Sequence, residues 1–512
     1  MELKKATRSY QLSQVILDKT FEQTVESEFI LPDYLAEIVR IVKCMGTPHI
    51  VSKQRADQKI ILDGYVHFHL LYTSEDGVKL YSFEQSIPFT KQIDAKVAVE
   101  DALVETAVKG EYINCRATNP RAISVRSSVS IRVKAVGKAE QTVLSDVSGM
   151  GVQMKKERFS ATVPAASGQK AFSLEDETDL ALSSPPEAVL GVDSYLSIDD
   201  YKVITGKVIL KGECRNHVSY LLQNNQVESA DYTIPVSQIV DIENCSADMA
   251  FSVRAAVLDC KAELKQNIEG ENTVLSTQMV CEASVVCYRQ EEIETIRDLF
   301  STTFESEYKT RPFTASSVSI LPKQAFTVTR QVKLDGPALT TVYDVWGEVN
   351  LLTQKIEEGM LVAAGNVKAT VIGADGEGGL HFSEKNVDFE TRILAPGDGQ
   401  NQMADLTIKL TGSSASLAPD GGAELRFDLE GEAVLTSTFT GNVVEDLSVD
   451  EESPKETDKN IALTIYYCDR GEDVWQIAKR YNTSVEGIVQ ENSLEGDTVP
   501  EKRTLLIPIV SE

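Results

Sequence analysis

The stretch from Lys59 to Phe89, KIILDGYVHFHLLYTSEDGVKLYSFEQSIPF, constrains this chain most, because its plan returns twice further on. Ile60, Leu62, Gly64, Val66, Phe68, Leu70 and Tyr72 alternate with Ile61, Asp63, Tyr65, His67, His69 and Leu71, the period of a half-buried strand. Asp76-Gly77 supplies a turn that accepts positive φ, and Val78 to Phe89 runs back, which makes a β-hairpin. Ile209 to Leu222, ILKGECRNHVSYLL, repeats the first strand at Ile209, Leu210, Gly212, His217 and Tyr220; Asn224-Asn225 is its turn and Ile234-Pro235-Val236 stands for Ile87-Pro88-Phe89. A more worn copy centres on Gly365, turns at Asp375-Gly376 and closes at Val387-Asp388-Phe389. From glycine to closing triplet the steps are 23, 22 and 22 residues.

The repeat reaches upstream. Phe21, Phe172 and Phe326 precede their glycines by 43, 40 and 39 residues, and Phe159 and Phe313 each stand 13 residues ahead of Phe172 and Phe326. Three copies of roughly 150 residues follow, each large enough to be a domain rather than a solenoid repeat. Their bounds are read as 1–152, 153–305 and a divergent 306–444. Each copy also holds a second hairpin, such as Phe251 to Arg289 around Glu269-Gly270, or Ala404 to Phe439 around Asp420-Gly421-Gly422. Many short strands and little helix predict a mainly β chain of three tandem sandwich or barrel-like repeats. Glu26 to Arg40 admits two readings, a short helix after Pro32 or a strand. Pro185-Pro186 excludes a central strand there.

Fifty basic against 78 acidic residues leave a net charge of −28 with no Lys/Arg cluster, which sets aside DNA, RNA and anionic headgroups as partners. The N-terminus lacks the apolar run of a signal peptide, and no uncharged run approaches the roughly 20 residues of a membrane helix. The protein is therefore expected to stay in the compartment where it is made. Eight cysteines form no CxxC pair and read as reduced core thiols. Residues 445–460, with EDLSVDEESPKETD, read as a solvated, self-repelling linker.

The remaining segment, 461–512, changes period. A strand from Ala462 to Cys468 is followed by Asp473, a helix cap with Gln476 three residues on, and by Val474, Ile477, Ala478 and Tyr481 at helical spacing. Thr483 with Glu486 reads as a second capping box ahead of Val485, Ile488 and Val489, and Thr504 to Ile507 as a closing strand, giving the order βααβ. With Gly471-Glu472-Asp473, the W-x-I-A-x-x-Y of Trp475 to Tyr481, Asn492 and the final L-L-I-P, this segment resembles the LysM domain. The resemblance implies a shallow groove for N-acetylglucosamine-containing glycans between two loops, here Arg470 to Val474 and Asn492 to Thr498. The residues so implied for glycan or a protein partner are Gly471, Glu472, Asp473, Val474, Trp475, Asn492, Ser493 and Leu494. Glu472-Asp473 departs from the usual Asp-Thr, which removes a threonine hydroxyl, and Glu491, Glu495 and Asp497 make the second loop acidic. The upstream copies, through G-x(4)-H-x(2)-Y, the turn and I-P-F or I-P-V, resemble the SPOCS domain, the spore-coat-associated family of endospore-forming bacteria. SPOCS copies followed by one LysM domain imply a mother-cell cytosolic scaffold at the forespore surface that docks onto the coat-basement ATPase.

His67-x-His69 suggests an imidazole pair, but no third ligand recurs and the third copy has Thr370 in place of His69, so a polar sheet face is expected and no metal. The three glycines, mid-strand, read as bulges or close packing contacts. Trp475 has two readings, core packing or a partly exposed anchor for a partner. GADGEGG at 373–379 joins two strands and is a turn, not a phosphate loop. With no HExxH, G-x-S-x-G or G-x(4)-G-K-[ST], the chain is expected to be a non-enzymatic scaffold without cofactor. A peptidoglycan-reading wall protein is the alternative, and a wall hydrolase with a LysM targeting module the third reading.

Overall fold

The computed structural model describes residues 2–508 apart from 75–78, 181–183, 225, 272, 398, 420–421 and 456–462. The turn at Asp76-Gly77, most of that at Asp420-Gly421-Gly422 and the Asn225 half of Asn224-Asn225 lie outside the described residues. In the first unit β1 (Lys4–Ile30), β2 (Arg40–Ala56), β3 (Lys59–Thr73), β4 (Leu80–Asp94), β5 (Leu103–Asn119) and β6 (Ala122–Ser148) build two antiparallel sheets. The meander β2-β3-β4 is one and β1-β6-β5 is the other. The alternation read over Ile60 to Tyr72 puts Ile60, Leu62, Val66, Phe68, Leu70 and Tyr72 into the core between them, against Val125, Val129, Ile131 and Val133 of β6. The unit is a sandwich.

The plan recurs with β7 (Val152–Asp179), β8 (Pro186–Ile204), β9 (Lys207–Leu222), β10 (Val227–Asp241), β11 (Ala250–Lys265) and β12 (Val274–Ser301), in the orders β10-β9-β8 and β11-β12-β7. Pro186 opens β8, an edge strand, as its missing N–H requires. The third unit has β13 (Phe304–Ile320), β14 (Gln324–Val332), β15 (Leu339–Glu357), β16 (Met360–Asp375), β17 (Leu380–Leu394), β18 (Gln402–Leu417) and β19 (Ala423–Pro454). β13 and β14 both pair with β19 and together occupy the place of β1; Pro322 falls in the gap between them.

In each unit the repeated glycine stands beside a bulge. Gly64, Gly212 and Gly365 pair with Ile50, Ile198 and Leu351, and the register shifts immediately after each of these partners. A side chain at the glycines would strike the carbonyl oxygens of His49, Ser197 and Asn350, so close backbone packing explains all three.

The strands β1, β6, β7, β12, β13 and β19 run on past their sandwiches as three two-stranded ribbons that bundle together. Val143, Ile293 and Val443, spaced evenly along the chain, meet there with Tyr10, Leu12, Ala161, Phe313 and Ala315. Phe159 stacks on Phe439 with ring centroids 4.5 Å apart. Further along, Leu144, Val147, Ile296, Leu299, Val444 and Leu447 form the next layer. At the opposite end the meanders converge on a hub of Leu71, Leu190, Leu221, Trp346 and Ile372.

Polar contacts fix the seams. Between units two and three, Asp344 accepts from His217 Nε2 at 3.0 Å and from the Ser219 hydroxyl, and Trp346 Nε1 donates to Ser219 Oγ at 2.8 Å. Asp344 faces Ile372 across its hairpin as Lys43 faces Leu71, and Lys43 makes the corresponding contact between units one and three, reaching Thr370 Oγ1 at 3.2 Å and Glu384. Lys53 pairs with Glu282 at 3.6 Å and Arg254 with Glu105 at 3.4 Å between units one and two.

The acidic stretch expected as a linker is strand as far as Pro454: Asp446, Leu447, Ser448, Val449 and Asp450 pair with Lys309, Tyr308, Glu307, Ser306 and Glu305. Buried Leu447 and the ladder hydrogen bonds outweigh the charge, which points to water from the other face. The rest of that stretch, 456–460, lies outside the described residues. Glu26 to Ile30 is the end of β1, and Ile38 and Leu35 close the unit without a helix. The C-terminal module is β20 (Leu463–Cys468), α1 (Val474–Arg480), α2 (Val485–Asn492) and β21 (Arg503–Pro508), the order expected. Ser484 rather than Thr483 caps α2, accepting from Gly487 N at 3.1 Å, because the Thr483 hydroxyl is taken by Pro508 O at 2.6 Å.

Candidate functional site

The two loops that the LysM resemblance singles out are joined backbone to backbone. Gly471 N donates to Val499 O at 2.8 Å, Val499 N to Glu472 O at 2.9 Å and Val474 N to Asp497 O at 2.8 Å. Asp473 caps α1 by accepting from Trp475 N at 2.9 Å. Glu472 folds back onto its own loop, accepting from Asp469 N at 2.8 Å and from Tyr466 Oη at 2.7 Å, and these bonds hold its carboxyl below the usual range.

The eight expected residues divide by depth. Gly471 and Ser493 are exposed and Glu472 and Asp473 half-buried, whereas Val474, Trp475, Asn492 and Leu494 belong to the interior. Asn492 is a structural pin: its Nδ2 donates to Ile488 O at 2.9 Å and Leu506 O at 2.6 Å, and its Oδ1 accepts from Leu506 N at 2.7 Å. Ser493 takes φ +48°, ending α2 in the left-handed conformation. Leu494 packs with Val474, Ile477 and Ile488.

Trp475 is packed, not a partly exposed anchor, and the side chains it packs on lie outside the module. The indole is 5% exposed and meets Phe300 of β12 edge-on, centroids 5.1 Å apart. Its Nε1 donates to Asp298 Oδ2 at 2.8 Å, while Lys479 Nζ reaches Asp298 Oδ1 at 2.6 Å. Burial pushes the Asp298 carboxyl up, but the bonds from Lys479, Trp475 and Tyr308 outweigh it and hold the group below its ordinary value. Lys155 Nζ pairs with Asp473 Oδ2 at 2.6 Å, and Lys455 Nζ bridges Ser301 O at 2.9 Å and Asn482 Oδ1 at 2.7 Å. The first loop and α1 therefore sit on the ribbon bundle. Sequence reasoning missed Lys155 on β7 and Asp298 and Phe300 on β12, which lie far upstream in strands with no local signal for this contact.

Two surfaces of the module remain open. The second loop exposes Glu495, Gly496, Asp497 and Thr498. On the outer face of the small sheet, Leu463, Ile465 and Tyr467 alternate outward, Ile465 60% and Tyr467 79% exposed. Elsewhere, His67 Nδ1 and His69 Nε2 lie 3.1 and 2.8 Å from Ser86 Oγ and Ser82 Oγ across the first hairpin. Among the described residues no group of three or more His, Cys, Asp or Glu side chains is placed to hold a metal ion, and no helix is long and apolar enough to cross a membrane.

Compared with known families, residues 37–118 and 186–265 match the family model described as SipL, SPOCS domain, and residues 469–508 match that of the LysM domain. The two SPOCS segments cover β2 to β5 of the first unit and β8 to β11 of the second. No curated protein and no solved structure matches the chain. SPOCS and LysM are non-catalytic domain families, the first related to sporulation and the second to peptidoglycan binding.

Proposed function

The chain carries two SPOCS domains of the SipL kind and a LysM domain, and from that premise we propose that it is a non-enzymatic scaffold of endospore coat assembly. Its LysM module binds a coat morphogenetic protein, the basement-layer ATPase, at the forespore surface on the mother-cell side. The third unit, with the same strand plan, acts as a further SPOCS-like body that completes the bundle. The observation that carries this reading is the way the module is mounted. Its first glycan loop is engaged by Lys155 and its α1 by Asp298, while an apolar sheet face with Ile465 and Tyr467 faces outward. An exposed aromatic and aliphatic face suits a protein partner better than a sugar that needs a polar groove.

The alternative, a peptidoglycan or N-acetylglucosamine reader, draws on the LysM match and on the open second loop. Calorimetry of the full chain against the ATPase and, separately, against peptidoglycan oligosaccharides tests both. The scaffold reading expects heat from the ATPase, abolished by Ile465→Glu, and none from sugar. Saturable sugar binding with no ATPase interaction overturns it in favour of the alternative.

A further inference from the structure

The first unit places two cysteines where its two sheets come closest. β2 faces β5 across the sandwich, and two glycines set the approach: a side chain at Gly46 would come within 2.9 Å of Ile113 Cδ1, and one at Gly110 within 3.2 Å of the Gly46 carbonyl oxygen. Bare glycines let these backbones approach more closely than the roughly 10 Å that separates packed sheets. Cys44 on β2 and Cys115 on β5 flank this crossing. Both are partly buried and pack against the same core.

The other units act as internal controls. Cys44 pairs with Leu70, six residues past Gly64; the residues six past Gly212 and Gly365 are Val218 and Val371, and they pair with Val192 and Val345. Cys115 pairs with Val125, and the matching register in the other long hairpins, opposite Leu275 and Leu425, gives Leu264 and Ala415. Val192 and Leu264 share one apolar cluster, and Val345 and Ala415 share another. The two positions are thus brought together in every unit, and the first unit fills both with thiols. Of the other six cysteines, five are buried, and Cys260 accepts a hydrogen bond from Ser194 Oγ at 3.7 Å.

We propose that Cys44 and Cys115 are a redox pair that closes to an intersheet disulfide when the protein meets a low-molecular-weight disulfide. The Cys115 thiolate attacks one sulfur of the small disulfide, forming a mixed disulfide and releasing one thiol. Cys44 then loses its proton and attacks Cys115 Sγ, expelling the second thiol. Two protein thiols are oxidised by two electrons in all, and the small disulfide is reduced to two thiols. The neighbouring Cys44 thiol holds the Cys115 pKa below its ordinary value, which makes Cys115 the attacking group. The bridge staples β2 to β5 and closes the chain between them, stiffening the first unit alone.

The test incubates the full chain with glutathione disulfide, alkylates the remaining thiols, and digests without reduction for mass spectrometry. The expected result is a linked peptide pair carrying Cys44 and Cys115, the loss of two alkylatable thiols per chain, and a Tm raised by several degrees that dithiothreitol reverses. Cys44→Ser should abolish the link and the shift, and Cys260→Ser should leave both. Cys44 and Cys115 still alkylated after prolonged oxidation, a glutathione adduct on Cys115 that never closes, or links only between molecules would each overturn the proposal. A link with an unchanged Tm would overturn its stapling role.

Discussion

Trp475 Nε1 donates to Asp298 Oδ2 at 2.8 Å, joining the LysM domain to a strand of the second unit. Lys479 reaches the other oxygen of the same carboxylate, and Phe300 packs against the indole, so one short stretch of β12 holds both α1 and its aromatic anchor.

Replacing Asp298 with alanine leaves an indole N–H without an acceptor and takes from Lys479 its carboxylate in a half-buried site. The expected cost is about 2 kcal/mol of docking stability, and Trp475→Ala, which also empties a packed position, is expected to cost about 3–5 kcal/mol. The chain has two tryptophans, so in a Trp346→Phe background the fluorescence of Trp475 reports on docking alone during urea unfolding. Because the Asp298 carboxyl lies below its ordinary value when folded, its contribution is present above the ordinary carboxylate range and disappears as pH falls through the lowered value. The difference between the chain and Asp298→Asn should therefore shrink in acid.

His217 carries the opposite dependence. Burial lowers its pKa, but the hydrogen bonds with Asp344 and Asp231 win and raise it to about 9. The stabilisation is complete below the ordinary histidine value near 6.5 and is lost as pH rises through about 9. Thermal melts of the chain and of His217→Gln should differ most near pH 6 and converge by about pH 10. Asp344→Ala, which leaves His217 only the exposed Asp231 and takes the acceptor from the buried Ser219 hydroxyl, should cost about 1–3 kcal/mol near neutrality.

Alanine at Gly64, Gly212 or Gly365 would drive a methyl group into the carbonyl of a bulged neighbour. Since backbone rather than a flexible side chain must move, each substitution is expected to cost about 3 kcal/mol, the upper end for overpacking. Denaturant midpoints of the three variants check this, and a loss under about 1 kcal/mol at all three would contradict the packing account.

Phe313 is 1% exposed and contacts Phe159 of the neighbouring unit, with ring centroids 5.7 Å apart. Phe313→Ala should cost about 3–5 kcal/mol and should raise amide exchange in the ribbons of all three units. Faster exchange confined to β13 and β19 would mean that the units unfold independently.

Much of each sandwich is legible because its signal is local. Ile60 to Phe89 became β3 and β4 with the alternation intact, and the mid-strand glycines marked bulges as their residue type implies. The bundle was not legible. Each ribbon commits only a few apolar residues to it, such as Tyr10 and Leu12 or Phe313 and Ala315, and their neighbours in space come from other units. Strands of 27 to 32 residues also exceed the usual length so far that no local pattern proposes them. The acidic tail of β19 misled for the same reason, since Leu447 was buried by partners more than a hundred residues away. In the LysM domain strand order and helix faces were readable. The role of Trp475 was not, because the side chain that fixes it, Asp298, is coded elsewhere.

The ribbon bundle also gives the molecule a direction. Three similar heads meet at one end and a single foot is fixed at the other, seated mainly on the second unit and touched by Tyr308 of the third. Such a body has a top and a bottom as well as three sides. Copies standing on a common surface by that foot would hold their three heads at one height above it, set by the length of the ribbons.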